Sequence, residues 1–300
     1  MPEYPDVTLY LERLASFTTG AVLEGVRLGS PFLVRTTDPP LSAVQGQTVL
    51  GFRRMGKRIV FSLTDDLFLV IHLMIAGRLR WKKKGASERG RNVVAVFDFP
   101  DGSLVFTEAS KKKRASLHVV RGEDALAPFE RGGLEVFEID EATFAERLTS
   151  RRHTLKRALT DPTLFSGIGN AYSDEILFRA QLSPVKMTTS LDQAQISRLF
   201  TAVGDVLTEW TVRLRAELGE GFPDLVTAFH DDMAVHGRFR KPCRVCESPI
   251  QRIVSASSES NYCVTCQTGG KLLADRALSR LLKSDWPKTL TELEERLGKS

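Results

Sequence analysis

Four cysteines, Cys243, Cys246, Cys263 and Cys266, form two Cys-x-x-Cys pairs with sixteen residues between the pairs, and the chain has no others. Thiolates at i and i+3 of a tight knuckle both reach one Zn2+ at about 2.3 Å, and two knuckles complete a closed tetrahedral shell, so the spacing predicts one structural zinc ion. Redox-active pairs are the alternative reading of such a motif. Between the knuckles, Gln251-Arg252-Ile253-Val254 reads as one strand, Ser255 to Ser260 as a polar tip, and Asn261-Tyr262 as the return. A finger of this size buries little core, and a metal would staple it.

A second chemical signal is charge. The formal net charge is +5 and the pI about 9.1, which biases partners toward polyanions. Arg78, Arg80, Lys82, Lys83, Lys84, Arg89 and Arg91 fall in one run that contains a single acid, Glu88; Lys111-Lys112-Lys113-Arg114 and Arg151-Arg152 follow. Basic loops on a folded scaffold suit phosphate contacts. The start of the chain carries Glu3, Asp6 and Glu12 and lacks the apolar core of a secretory signal, and the apolar stretch from Phe68 to Gly77 is too short to span a bilayer. A reduced, cytoplasmic protein is expected, nucleoid-associated if bacterial.

A third signal is Gly167-Ile168-Gly169-Asn170, which permits a tight turn with Asn170 placed to cap the next helix. Amides at such a helix start can bind phosphate. A purely structural helix-turn-helix corner explains the same residues.

These residues need elements to hold them. Val7, Tyr10, Leu11 and Leu14 have helical spacing, with Asp6 at the helix start. Strands are expected at Val22-Leu23, Thr48 to Phe52, Ile59 to Leu63, Leu67 to Leu73 after a Thr64-Asp65-Asp66 turn, and Val93 to Phe99 and Leu104 to Thr107 around Pro100-Asp101-Gly102. Strands at this spacing suggest an antiparallel sandwich. Beyond about residue 140 the period becomes helical. Ser190-x-x-Gln193 has the form of a capping box, and Ile196, Leu199, Phe200, Val203, Leu207 and Trp210 make a core stripe. The reading is α+β, with an N-terminal β-sandwich (1–125), a linker (126–140), a helical domain (141–235), a four-cysteine zinc finger (236–270) and a helical extension (271–300). In the extension, Leu272, Leu273, Leu278, Leu281, Leu282 and Trp286 would dock on the body or on a partner.

In four ordered places the chain resembles the formamidopyrimidine-DNA glycosylase and endonuclease VIII family. Pro2-Glu3 is similar to the family's catalytic start, Gly56-Lys57 to its strand-borne lysine, and Gly167 to Phe178 to its helix-two-turn-helix signature. Val235-His236-Gly237-Arg238 resembles the approach to its zinc finger. The resemblance implies a monomeric glycosylase and abasic-site lyase acting on damaged DNA, double- or single-stranded. Pro2 would be the nucleophile and Glu3 the acid/base, assisted by Lys57. His72 and Asn170 would contact phosphates around a flipped nucleotide, and Ile75 would be an apolar wedge.

Two departures accompany the resemblance. The family's zinc-hairpin arginine, five residues before the third cysteine, is Ser258 here. Its Asp-Pro-Arg-Arg-Phe-Gly type loop is replaced by Glu108-Ala109-Ser110-Lys111-Lys112-Lys113-Arg114. An apolar wedge unstacks bases, whereas lysines hold phosphates. Single-stranded or distorted DNA is therefore a plausible substrate. A non-catalytic recognition protein, or a lyase restricted to abasic sites, are the alternatives.

Overall fold

Helix α1 (Tyr4–Thr18) starts at the N-cap Glu3, because Pro5 costs no hydrogen bond in a first turn and Asp6 supplies an acceptor there. Val7, Tyr10 and Leu14 are fully buried, and Leu11 packs at the edge of the same core. The protein is described from a computed structural model, which covers the chain except residues 225, 227, 228, 256, 257, 275–280, 282–284 and 297–300.

Two antiparallel four-stranded sheets follow, built from β1 (Gly25–Leu28), β2 (Val49–Met55), β3 (Arg58–Leu63), β4 (Leu67–His72), β5 (Gly77–Lys82), β6 (Val93–Phe99), β7 (Gly102–Glu108) and β8 (Ser116–Arg121). Their orders are β1-β6-β7-β5 and β2-β3-β4-β8. Alternate residues of β3, namely Ile59, Phe61 and Leu63, face one core shared with Ala95, Phe97 and Phe99 of β6. The rings of Phe61 and Phe97 stack at 6.3 Å. The antiparallel sandwich with its flanking helix is thus the architecture that the alternation implies.

Several elements differ from the sequence reading. Val22 makes only an isolated bridge to Thr48, and the first strand lies at Gly25–Leu28. Strand β5 is hidden inside the basic run: Leu79 is buried between Arg78 and Arg80, so an alternating strand looks like a charged loop. Strand β8 occupies the stretch just before the expected change of period, where the sequence suggests no strand.

The second part of the chain holds α2 (Glu141–Thr149), α3 (Leu155–Thr160), α4 (Asn170–Arg179) and α5 (Gln193–Leu218). The stripe on α5 is core as expected, with Leu199 and Leu207 fully buried. Its capping box is not Ser190-x-x-Gln193. Asp192 Oδ1 accepts from the Gln195 N–H at 2.8 Å, and Gln195 Oε1 accepts from the Asp192 N–H at 3.3 Å. Ser190 lies in a preceding 3-10 turn, so the box begins two residues later. Strands β9 (Gln251–Ser255) and β10 (Ser258–Tyr262), helix α6 (Val264–Thr268) and a short helix at Leu290–Arg296 complete the fold. By contacts the chain divides into Met1–Gly133 with Thr208–Ala228, and Leu134–Leu207 with Phe229–Ser300. Among the described residues, no helix is long and apolar enough to cross a membrane.

Candidate nucleic-acid interface and metal centre

In the first unit the chain terminus is drawn inside. Pro2 and Glu3 are buried, and the Glu3 N–H donates to Asp6 Oδ2 at 2.8 Å. Burial lowers the pKa of the terminal amine; the positive charges of Arg78 and Lys57 push the same way, while Glu3 and Asp6 oppose. The terminus, two carboxylates and two cations therefore share one electrostatic environment. A lowered amine pKa means more free base at neutral pH, which is the nucleophilic form.

Lys57 is held differently from expectation. Met55 pairs with Arg58, so Gly56-Lys57 is the two-residue turn of the β2–β3 hairpin and Lys57 sits at its tip, not within a strand. Gly56 makes this possible with φ +62, a conformation costly for a residue with a Cβ. His72 ends β4, and its Nδ1 accepts the Met74 N–H at 3.0 Å. Burial, then Arg58 and Lys57, push its pKa down to about 4. His72 is therefore neutral at pH 7, with the proton on Nε2 available as a donor.

The turn after His72 presents Ile75 to solvent at 65% exposure. Met74 has φ +52, and Gly77 closes the turn by donating to Leu73 O at 2.8 Å. A Cβ at Gly77 would lie 2.2 Å from that oxygen, so glycine is required. Beside the turn, the basic loop is closed by the buried Glu108. Its Oε1 accepts the N–H groups of Arg114 at 2.8 Å and Ala115 at 3.2 Å, and Lys113 Nζ donates to its carbonyl. Ile75, Lys111, Lys112 and Arg114 line one shallow cavity. The other basic run is partly neutralised: Lys82 pairs with Asp224 at 3.2 Å and Lys84 with Glu24 at 2.8 Å.

Asp6, which the sequence marks only as a helix-start acid, is 3% exposed. Burial above all, with the charge of Glu3, raises its pKa to about 7, against the Glu3 N–H. A carboxyl raised on folding stabilises fully below its unfolded pKa, and that contribution is lost as pH rises through the folded value. Asp6→Asn keeps an acceptor and cannot ionise. It should match the wild-type stability near pH 4 and exceed it at pH 8 by at most on the order of 4 kcal/mol, seen as a higher Tm. Thermal melts across this range check the point; parallel curves would reject it.

In the second unit, Gly167 turns with φ +79 and Gly169, not Asn170, is the N-cap of α4. The Asn170 side chain instead donates from Nδ2 to Glu259 O of β10 at 2.8 Å. Asp174 binds Lys156 Nζ at 2.5 Å, His236 Nδ1 at 2.8 Å and the Asn261 N–H at 3.1 Å. Glu175 accepts the N–H groups of Ala234, Val235 and His236 at 2.7 to 2.9 Å. The two acids are visible in the sequence, but nothing there shows that they tie α4 to the approach to the finger. A buried carboxylate whose partners are remote in sequence carries no local signal of its acceptor role.

The four cysteine Sγ atoms lie within 4.8 Å of one another, close enough for one tetrahedral Zn2+ with bonds of about 2.3 Å. Backbone N–H groups of Val245 and Cys266 point at Cys243 Sγ and Cys263 Sγ, as thiolate acceptors need. The donor set fits a structural zinc ion. Strands β9 and β10 run to Ser255 and from Ser258, so the polar tip is shorter than expected and Ser258 belongs to a strand; 256 and 257 lie outside the described residues. Arg252 is engaged: its guanidinium stacks over Phe239 at 4.3 Å and pairs with Glu259 at 2.9 Å.

Comparison with known proteins places this geometry. Residues 1–114 match the formamidopyrimidine-DNA glycosylase N-terminal domain, and residues 134–216 the formamidopyrimidine-DNA glycosylase H2TH domain. A formamidopyrimidine-DNA glycosylase of Geobacillus kaustophilus is 32% identical over 282 residues, covering 89% of this chain and 100% of the relative. The chain belongs to the formamidopyrimidine-DNA glycosylase family. Another member of that family, from Desulfitobacterium hafniense, is 30% identical over 279 residues with the same coverage. Among solved structures, the family's Lactococcus lactis Fpg in complex with an abasic site containing DNA superposes with a TM-score of 0.77 at 25% identity, over 89% of this chain and 99% of that one. The same protein with an oxidized pyrimidine containing DNA gives 0.78 at 27% identity, over 89% and 100%.

Proposed function

We propose that this chain is a DNA glycosylase of base excision repair that removes a damaged, oxidised base and then cleaves the strand as an abasic-site lyase. The observation that carries this reading is the buried Pro2-Glu3 terminus, at which burial, with Arg78 and Lys57, lowers the pKa of the Met1 amine. Removal of Met1 would free the secondary amine of Pro2, one residue closer to Glu3. The damaged nucleotide must first leave the stack. The Pro2 nitrogen then attacks C1′ as the glycosidic bond breaks, and the base departs with its electron pair and a proton. Glu3 protonates the ring oxygen so that the sugar opens to an iminium. The iminium acidifies the C2′ proton; its loss expels the 3′ phosphate, and water releases the aldehyde and restores the amine.

Around this step, Lys57 and the neutral His72 would hold phosphates, His72 through Nε2–H. The α4 start with Asn170 would hold another, and Ile75 would fill the space left by the flipped base. Zinc, bound by Cys243, Cys246, Cys263 and Cys266, would supply structure and no chemistry. Its removal by a strong chelator should weaken binding to duplex DNA with an abasic-site analogue about tenfold or more while the sandwich melts unchanged. Unchanged affinity after confirmed metal loss would refute the finger's role.

A second reading, recognition of damaged DNA without cleavage, is favoured by one observation. Arg252 is committed to Glu259 and Phe239, so the hairpin offers no evident arginine grip among the described residues. Borohydride trapping separates the two. Oligonucleotides with an abasic site, an oxidised purine or an oxidised pyrimidine, single- and double-stranded, should give a covalent adduct on at least one damaged-base substrate. Tight binding with no adduct on any substrate would establish the second reading.

A further inference from the structure

Two buried apolar clusters flank the zinc hairpin, and only one contains the cysteine knuckles. On that side Val235, Cys243, Ile250 and Cys263 form a small buried cluster with Phe178 of α4. On the other, Tyr262 and Val264 are fully buried with Leu272, and Ile253, Leu273, Trp286, Leu290 and Leu293 pack around them. Every one of the last five except Ile253 comes from the segment after Gly270. The contact is also hydrogen-bonded. Tyr262 Oη accepts the Leu273 N–H at 2.8 Å; Leu272 N–H donates to Lys288 O at 2.8 Å, and Lys271 bridges to Thr289. Buried polar atoms that find partners across two segments specify one arrangement of them.

The hairpin so held is also tied to the start of α4. Asn261 N–H reaches Asp174, and Glu259 O accepts from Asn170. The orientation of β10 and the position of the Asn170 side chain are therefore mechanically connected. The curated relatives are spanned end to end by 89% of this chain, which leaves about a tenth of it without a counterpart.

We propose that residues 271–273 and 286–293 are a brace: they hold the zinc hairpin from the side away from the cysteines, so that the hairpin and Asn170 meet DNA preorganised. Its effect on DNA rests on the function proposed above; its effect on the hairpin does not. A hairpin of two strands is marginal in water, and a second packed face raises the free energy of its local opening. Trp286 acts here through its ring, since its buried indole N–H has no acceptor among the described residues.

The test uses the full chain with zinc bound. Trp286→Ala and Leu272→Ala should speed amide exchange across Gln251–Ser255 and Ser258–Tyr262 roughly tenfold or more, leave exchange in the sandwich strands unchanged, and keep one zinc per chain. Affinity for a duplex with an abasic-site analogue should fall by a similar factor. Trp286→Phe, which keeps an aromatic ring and removes the unpaired N–H, should restore both readouts. Unchanged hairpin exchange in both alanine variants overturns the brace. Weaker DNA binding without faster hairpin exchange also overturns it, and assigns the segment a direct DNA contact. If the wild-type chain binds no damaged DNA, the proposed function fails while the exchange experiment still decides the brace.

Discussion

A chain that retains Met1 forms at most a trace of Schiff base with an abasic site. Retention converts the Pro2 nitrogen into a tertiary amide, which has no lone pair available for attack, and moves the free amine one residue away from Glu3. Enzymatic nucleophiles act from one position relative to the reacting carbon, and displacement by a residue forfeits that geometry. The loss of borohydride adduct should be on the order of a hundredfold or more against protein with Met1 removed. Pro2→Gly keeps an α-amine in place and should retain measurable trapping. The pH dependence gives a second check. Burial lowers the pKa of the Met1 amine at this terminus; the Pro2 amine exposed by Met1 removal lies one residue deeper and should be lowered in the same direction, so trapping should rise with pH and level off below the pH of about 8 at which an ordinary α-amine titrates. Mass spectrometry of the mature protein together with trapping of both forms decides it; equal adduct from the Met1-retaining chain would remove Pro2 from the mechanism.

Glu3→Gln should separate the two halves of the reaction. Base release from an intact nucleotide needs a proton delivered to the sugar, and glutamine has none to give. Loss of a positioned general acid costs about 10²- to 10⁴-fold. An abasic site already presents an open aldehyde fraction to the amine, so its cleavage should fall far less. The contrast is informative because Glu3 is 2% exposed and its backbone is fixed by Asp6; the substitution is nearly isosteric and removes chemistry rather than shape. Single-turnover rates on matched damaged-base and abasic duplexes measure it. Equal losses on both would make Glu3 a structural residue of the helix start.

The cysteine cluster and the helical core faces are legible because their signals are local. The cysteine spacing announces the zinc knuckles, and the α1 and α5 stripes announce their buried faces, since a 3.6-residue period needs only neighbouring residues. Long-range properties are not legible. Strand β5 alternates Arg78, Leu79, Arg80, Trp81 and Lys82, and only pairing with β7 shows that the basic residues stand on a sheet. The same holds for Asp174 and Glu175, whose partners in and before the finger lie about sixty to ninety residues away. Nor does the apolar stripe of α5 reveal that Thr208–Ala228 groups with the first unit. Asp6 falls between these cases: its capping bond is local, but its raised pKa depends on burial by residues distant in sequence.

The basic loop offers a different lesson through Glu108. Because one carboxylate grips both Arg114 and Ala115 from the end of β7, the loop's two ends are clasped independently of what lies between them. Ser110 to Lys112 can thus vary as a cassette without disturbing the strands. Under the function proposed above, changing the number of lysines there would tune how strongly this surface holds a DNA backbone, with each lost phosphate contact lowering the salt dependence of binding by about 0.9 in logarithmic slope on duplex. Adaptation to a new strand geometry would then require no new fold.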